Sequence, residues 1–168
     1  MKKSILCLLP ILIATAFFIG CSSNPIPKDP PSASITIGGK EINPMMCVKN
    51  WGNYGITATS EIQDLAKSQD ENNGIITVKL GQPVVIDFNK TPPDQLKIYD
   101  AAISDDKSQA ITSEKIIQPM THDKDGKYTF VLGKSSYAAL GDPAIRGFRI
   151  LADWGSSECE YSFVFRAK

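Results

Sequence analysis

From Ser34 to the C-terminus the chain is written in short runs of β-branched and aromatic residues. Gly, Pro or Asp interrupts each run before a helix could establish itself. Alternating residues point to opposite faces of a strand, so this period-two pattern calls for strands with one buried side. Ser34-Ile35-Thr36-Ile37 alternates, Gly38-Gly39 turns the chain, and Lys40-Glu41-Ile42 follows. Met45 to Trp51 reads as the next strand. Ile75 to Leu80 and Val84 to Phe88 flank Gly81-Gln82-Pro83 and read as a hairpin. Gln95 to Tyr99 alternates, and Lys127 to Leu132 follows the tight-turn dipeptide Asp125-Gly126. Arg146 to Trp154 and Glu160 to Phe165 form a final hairpin across Gly155-Ser156-Ser157. In it Tyr161, Phe163 and Phe165 face the core, opposite Glu160, Ser162 and Val164. About eight short strands with such turns predict an all-β antiparallel sandwich over 34–168.

One segment departs from the β pattern. Ser60-Glu61-Ile62-Gln63 is a capping box, with Ser60 as N-cap and Gln63 reaching back. Ile62, Leu65 and Ala66 share a face, and Asn72-Asn73-Gly74 closes the segment, which predicts a short helix near 61–70. A further helical turn is expected within Lys134 to Leu140.

The N-terminus is of another kind. Lys2 and Lys3 precede a largely apolar run from Ile5 to Ile19. That run is short of the roughly 20 residues a transmembrane helix needs, and with its basic start it reads as a secretory signal over 1–20. Residues 21–33 contain Ser22-Ser23-Asn24-Pro25 and Pro27-Lys28-Asp29-Pro30-Pro31, too poor in apolar residues to fold, and are expected to be an extended tether. Without the signal the chain has 16 basic and 18 acidic residues, interleaved along its length. No basic stripe suggests a nucleic-acid partner.

Phe18-Ile19-Gly20-Cys21 resembles the lipobox of bacterial lipoproteins, with Phe18 in place of the usual Leu. The resemblance implies that Cys21 carries diacylglycerol, that it becomes the first mature residue, and that the domain is held on the extracytoplasmic side of the cell membrane. The Asp that often marks inner-membrane retention after the Cys is here Ser22. A second set of landmarks comprises Thr36-Ile37-Gly38-Gly39-Lys40, Cys47-Val48-Lys49-Asn50-Trp51, Gly81 through Phe88, and Arg149 through Trp154. It resembles small, mostly uncharacterised lipoproteins of Gram-positive bacteria, and implies an immunoglobulin-like sandwich with no established activity.

With Cys7 in the signal and Cys21 given to lipid, Cys47 and Cys159 remain as a pair in an oxidising compartment, where a disulfide is the expected state. Trp51 and Tyr54 sit in Asn50-Trp51-Gly52-Asn53-Tyr54-Gly55, a composition suited to contact surfaces. With Trp154 they form the candidate binding surface. The opposing reading makes each Trp a core plug; it is preferred for Trp154 and left open for Trp51.

No catalytic motif is found. His122 is the only histidine, in a polar hairpin approach, and no Gly-x-Ser-x-Gly elbow occurs. Asp123-Lys124-Asp125-Gly126 fails as a calcium loop, because the sixth and twelfth positions hold Tyr128 and Lys134. Met45, Met46, Cys47 and His122 could make a soft-metal site, but adjacent Met residues in a strand point apart. No metal or cofactor is therefore expected. The reading is a lipid-anchored, non-enzymatic binding module for a protein, peptide or envelope polymer. The alternatives are a protease-inhibitor-like module or a small cell-envelope hydrolase using His122 or paired carboxylates.

Overall fold

The computed structural model describes residues 26–57, 61–71, 74–116, 120–138 and 145–168. The signal segment and Cys21 lie outside them. Two antiparallel sheets pack face to face. The first contains β1 (Ser34–Ile37), β2 (Lys40–Ile42), β5 (Pro83–Asp87), β8 (Thr121–His122) and β9 (Lys127–Val131), in the order β2-β1-β5-β9-β8. The second contains β3 (Met45–Asn50), β6 (Gln95–Ile103), β7 (Ala110–Ile116), β10 (Ile145–Trp154) and β11 (Ser157–Ala167), in the order β3-β11-β10-β6-β7. A two-residue strand, β4 (Thr77–Val78), runs parallel to the end of β11. The sandwich is the one the alternation predicts. Its last strand lies inside its sheet, between β3 and β10, whereas the immunoglobulin constant-type order leaves the last strand at an edge.

β10 and β11 form the axis of the fold. They pair from Ile145↔Arg166 to Trp154↔Ser157 across the two-residue turn Gly155-Ser156. Gly155 has φ +63°, the positive value that a tight hairpin turn beginning with Gly requires. Phe148, Ile150, Ala152, Tyr161, Phe163 and Phe165 face the first sheet, meeting Ile35, Ile37, Val84, Ile86 and Phe130. Phe148 packs edge-on to Phe163 and Phe165, with centroids 5.5 and 5.0 Å away, and touches Phe130 of the opposite sheet at 5.8 Å. Each such ring pair contributes about 0.5–1.5 kcal/mol beyond area burial.

The outer face of the second sheet is not bare. Helix α1 (Ile62–Glu71) lays Ile62 and Ala66 on Ala101, Ile103, Ile145 and Val164. The close approach depends on Gly147, where a Cβ would fall 2.4 Å from Ile62 Cδ1 and 3.1 Å from the Phe163 carbonyl oxygen. Asp70 ties down the far end of the helix, accepting from Arg166 Nη2 at 2.8 Å and pairing with Lys107 Nζ at 2.7 Å. The expected N-cap, Ser60, lies outside the described residues. The Glu61 carbonyl accepts the amides of Asp64 and Leu65, so the first intrahelical bonds start there. No described helix is long and apolar enough to cross a membrane.

Three expectations need correction. Ile75 to Leu80 does not pair with Val84 to Phe88: β4 joins the second sheet and β5 the first. Around the turn, Gly81 donates to the Leu132 carbonyl and Leu80 to that of Lys168, drawing the two arms to different partners. β6 continues four residues past Tyr99, and β7 and β8 form where no strand was expected. Asp100 interrupts the apolar alternation of β6, and exposed Ile111 marks β7 as an edge strand with little apolar signal. The helical turn expected in Lys134 to Leu140 is present in its described part, closed by Ala138 N–H on the Ser135 carbonyl. Finally, the tether expected over 21–33 is docked in its described part: Pro31 is buried and its carbonyl accepts the Tyr161 hydroxyl.

Gly147→Ala should destabilise the domain by about 1–3 kcal/mol, because the added methyl overpacks the helix–sheet contact. Gly133→Ala, where a Cβ meets nothing within 4 Å, serves as the control and should leave the melting temperature unchanged. Thermal unfolding followed by circular dichroism separates the two; equal melting temperatures would refute the tight contact.

Candidate functional site

The predicted aromatic surface divides. Trp51 and Trp154 are each 2% exposed and pack edge-on to one another at 5.2 Å. Phe88 closes on Trp154 at 5.5 Å, and Trp154 Nε1–H donates to the Thr91 carbonyl at 2.9 Å. Both tryptophans are core residues, so neither can form a contact surface. The physical reason is their position at the ends of inward-facing registers, which carries Trp51 under the sheet before the Gly52-Asn53 turn releases the chain. Tyr54 alone stays outside, 49% exposed, and its hydroxyl donates to the Asp29 carboxylate. That contact raises the pKa of the Tyr54 hydroxyl above its ordinary value of 10.0.

The Cys47–Cys159 disulfide expected from sequence is not formed; both residues are buried and are not joined to one another. Cys47 stands opposite Glu160 and Cys159 opposite Val48. Directly opposed residues share a face, so the two thiols leave the sheet on opposite sides, whereas a disulfide needs Cβ atoms about 3.5–4.5 Å apart. Cys159 lies in the core, where burial pushes its thiol up to about 11. Cys47 lies on the outer face beneath the chain that follows β3, donating to the Thr57 carbonyl at 2.9 Å. Two cysteines 112 positions apart reveal their pairing only once the register of β3 on β11 is known.

His122 lies on β8, stacked on the Tyr128 ring at 4.6 Å. Met45, Met46 and Cys47 are on the other sheet, so the soft-metal combination is not assembled. Asp123 accepts the amides of Asp125 and Lys127, the latter being the main cause of its lowered pKa; this is a turn, as the sequence indicated. Among the described residues no three His, Cys, Asp or Glu side chains gather in a way that could hold a metal ion.

Two buried carboxylates are engaged by cations. Asp100 accepts Arg146 Nε and Nη2, both at 3.2 Å, the Ser135 hydroxyl at 3.0 Å and the Ser136 amide at 2.7 Å. Arg146 also donates to the Gly133 carbonyl and lies over the rings of Phe148 and Phe165. Every oxygen of this pair has a partner, which makes it a structural clamp at one end of the core. On the outer face Glu160, 1% exposed, accepts Arg149 Nη2 at 2.8 Å and Nε at 3.1 Å, with Lys49 Nζ at 3.2 Å. Burial works against its ionisation, but Arg149 and Lys49 outweigh it and hold the carboxyl below its ordinary 4.5. Nothing in the sequence flagged these pairs, since each joins strands through cross-sheet register.

A concave feature lies where α1, β2 and the end of β11 converge. A cleft of about 310 Å³ is lined by Glu41, Ile42, Asn43, Ser68, Gln69, Gly74, Ile76 and Val164. Ile42 and Val164 are buried and give it an apolar floor; Glu41, Asn43 and Ser68 are exposed and give it a hydrogen-bonding rim. The helix end is turned aside here by Gly74, whose amide bonds the Gln69 carbonyl at 2.7 Å. A single carboxylate among neutral amide and hydroxyl groups suits binding by hydrogen bonds. Sequence reasoning missed this site because its walls come from three separate segments. Comparison with known proteins returns no matching family model, no matching curated relative and no matching solved structure.

Because the pKa of Glu160 in the folded state is depressed, its contribution to stability is complete above 4.5 and is lost as pH falls through the lower folded value. The melting temperature should therefore decline from about pH 5 downwards, and Glu160→Gln should flatten part of that decline while lowering stability at neutral pH. An unchanged slope in the variant would sink the assignment. Thiol titration of the chain from residue 22 onward should show little reaction in the native state and two thiols after denaturation; finding none after denaturation would restore the disulfide.

Proposed function

We propose that this protein is a lipid-anchored extracytoplasmic binding module, non-enzymatic, that takes a short polar segment of peptide or envelope polymer in the cleft between α1 and β2. The anchor reading rests on Lys2, Lys3, the apolar run and Gly20-Cys21. The observation that carries the binding reading is the cleft itself. Its apolar floor offers contact area, and Glu41, Asn43, Ser68 and Gln69 offer donors and acceptors that fix orientation. Its volume is near the lower end of ligand pockets, about 300–1,000 Å³, which suits one or two sugar units or a dipeptide rather than a long chain. Tyr54 is a second exposed contact residue, at the opposite end of the domain from the cleft.

Two experiments test this reading separately. Cys21→Ser should shift the protein from the membrane to the soluble fraction, and retention of the variant on membranes would refute lipid anchoring. For the cleft, the Cys21→Ser protein is titrated calorimetrically with soluble peptidoglycan fragments. The pair Glu41→Ala and Gln69→Ala should weaken binding by about tenfold or more, the loss of one to two hydrogen bonds, with no change in melting temperature. Heat signals identical in the wild-type and the variant would exclude the cleft as the site.

A further inference from the structure

The chain from Ile26 to Pro31 lies against the end of the sandwich that holds the β10–β11 turn. The Tyr161 hydroxyl donates to the Pro31 carbonyl, the Tyr54 hydroxyl donates to Asp29, and the Ile26 side chain comes within 3.5 Å of the point where a Cβ on Gly155 would sit. Only five Cα–Cα steps then separate Cys21 from Ile26, a reach of at most about 18 Å. β11 has 11 residues and is about 36 Å long. The connection is about half the length of the domain it holds, so it confines the Gly155 end close to whatever carries Cys21.

That end presents apolar side chains to solvent. Ile26 is 47% exposed, Tyr54 49% and Ile56 77%, while Lys28 and Lys90 stand exposed at the same end. Of the carboxylates at this end, Asp29 accepts Tyr54, Asp94 accepts the Gly155 amide at 3.0 Å, and Asp153 and Glu158 stand opposite one another beside the turn, where burial and Asp153 raise the Glu158 pKa and disfavour its charge. The loops beneath are fixed, since Asn50 Nδ2 donates to the Ser156 carbonyl at 2.6 Å and Tyr128 donates to the Pro93 carbonyl at 2.7 Å. The patch is held rigid, so an interface that received it would meet a preformed surface.

We propose that this end docks on the membrane that bears the lipid of Cys21, with Ile26 and Tyr54 at headgroup level; this rests on the anchor reading above. An aliphatic and an aromatic side chain with flanking lysines suit the bilayer interface. Confinement by the short connection makes weak insertion sufficient, because the patch is present at high effective concentration. The orientation follows. Val164, in the floor of the cleft, is seven residues along β11 from Ser157, about 23 Å from the docked end. The cleft is thereby held away from the bilayer and open to the envelope.

The test uses the full lipidated chain in vesicles of phosphatidylethanolamine and phosphatidylglycerol carrying a headgroup quencher. A fluorophore is attached through Ser156→Cys at the docked end or through Asp105→Cys in the β6–β7 turn at the far end. Quenching should be about threefold or more stronger at position 156, consistent with insertion to headgroup depth. Ile26→Ser combined with Tyr54→Ser should equalise the two signals with the protein still vesicle-bound. Equal quenching at both positions in the otherwise unaltered, vesicle-bound protein overturns the docking and leaves the anchor standing. If the unaltered protein does not sediment with membranes at all, the anchor fails, and the docking with it. Equal quenching with a concentration-dependent dimer, abolished by the same double variant, would give the patch to a second copy and overturn the proposal.

Discussion

The register of β10 on β11 is the constraint on which the other contacts depend. Once Trp154 stands opposite Ser157, alternation sends Phe148, Tyr161, Phe163 and Phe165 into the sandwich and Glu160, Ser162 and Val164 to the outer face. A slip of one residue would put the aromatic side chains outside and the carboxylate in the core. The hairpin also supplies both neighbours of the flanking strands: β6 grows on β10, while β3 and then β4 grow on β11. The two tryptophans, the two buried cysteines and both buried ion pairs take their places from that one pairing.

Burial on both faces of the second sheet explains how the charges are used. A sheet covered on one side would leave Glu160 and Arg149 in water, where an ion pair contributes little. Here α1 and the chain after β3 cover the outer face, so Glu160 is desolvated and must be met by Arg149 and Lys49. Asp100 and Arg146 do the same on the inner face, where the pair closes the end of the core and Arg146 packs over two phenylalanine rings. Removing one member of such a pair costs about 3–5 kcal/mol, because the partner is left buried and unpaired.

The binding and anchoring readings divide the molecule along the length of β11. The turn end carries the chain that leads back to Cys21, together with exposed Ile26 and Tyr54. The other end carries the cleft. A domain built this way would separate attachment from recognition by the length of one hairpin.

The sequence by itself determined the elements whose signal is local. Alternation and turn dipeptides gave the sandwich, the final hairpin and the inward aromatic residues, and the spacing of Ile62, Leu65 and Ala66 gave the helix. The lipobox-like segment gave a reading of how the chain is exported and held, from residues outside the described structure. Tertiary structure decided what depends on which strand meets which. It placed Trp51 and Trp154 in the core, turned Cys47 and Cys159 to opposite faces, split the expected Ile75–Phe88 hairpin between two sheets, and built β7 from a weakly apolar edge. It also folded part of the expected tether against the domain and assembled the cleft from three segments. The physical reason is common to all of these. Periodicity along a strand fixes which residues share a face, but the partner, the register and the covering layer are set by contacts between residues far apart in the chain.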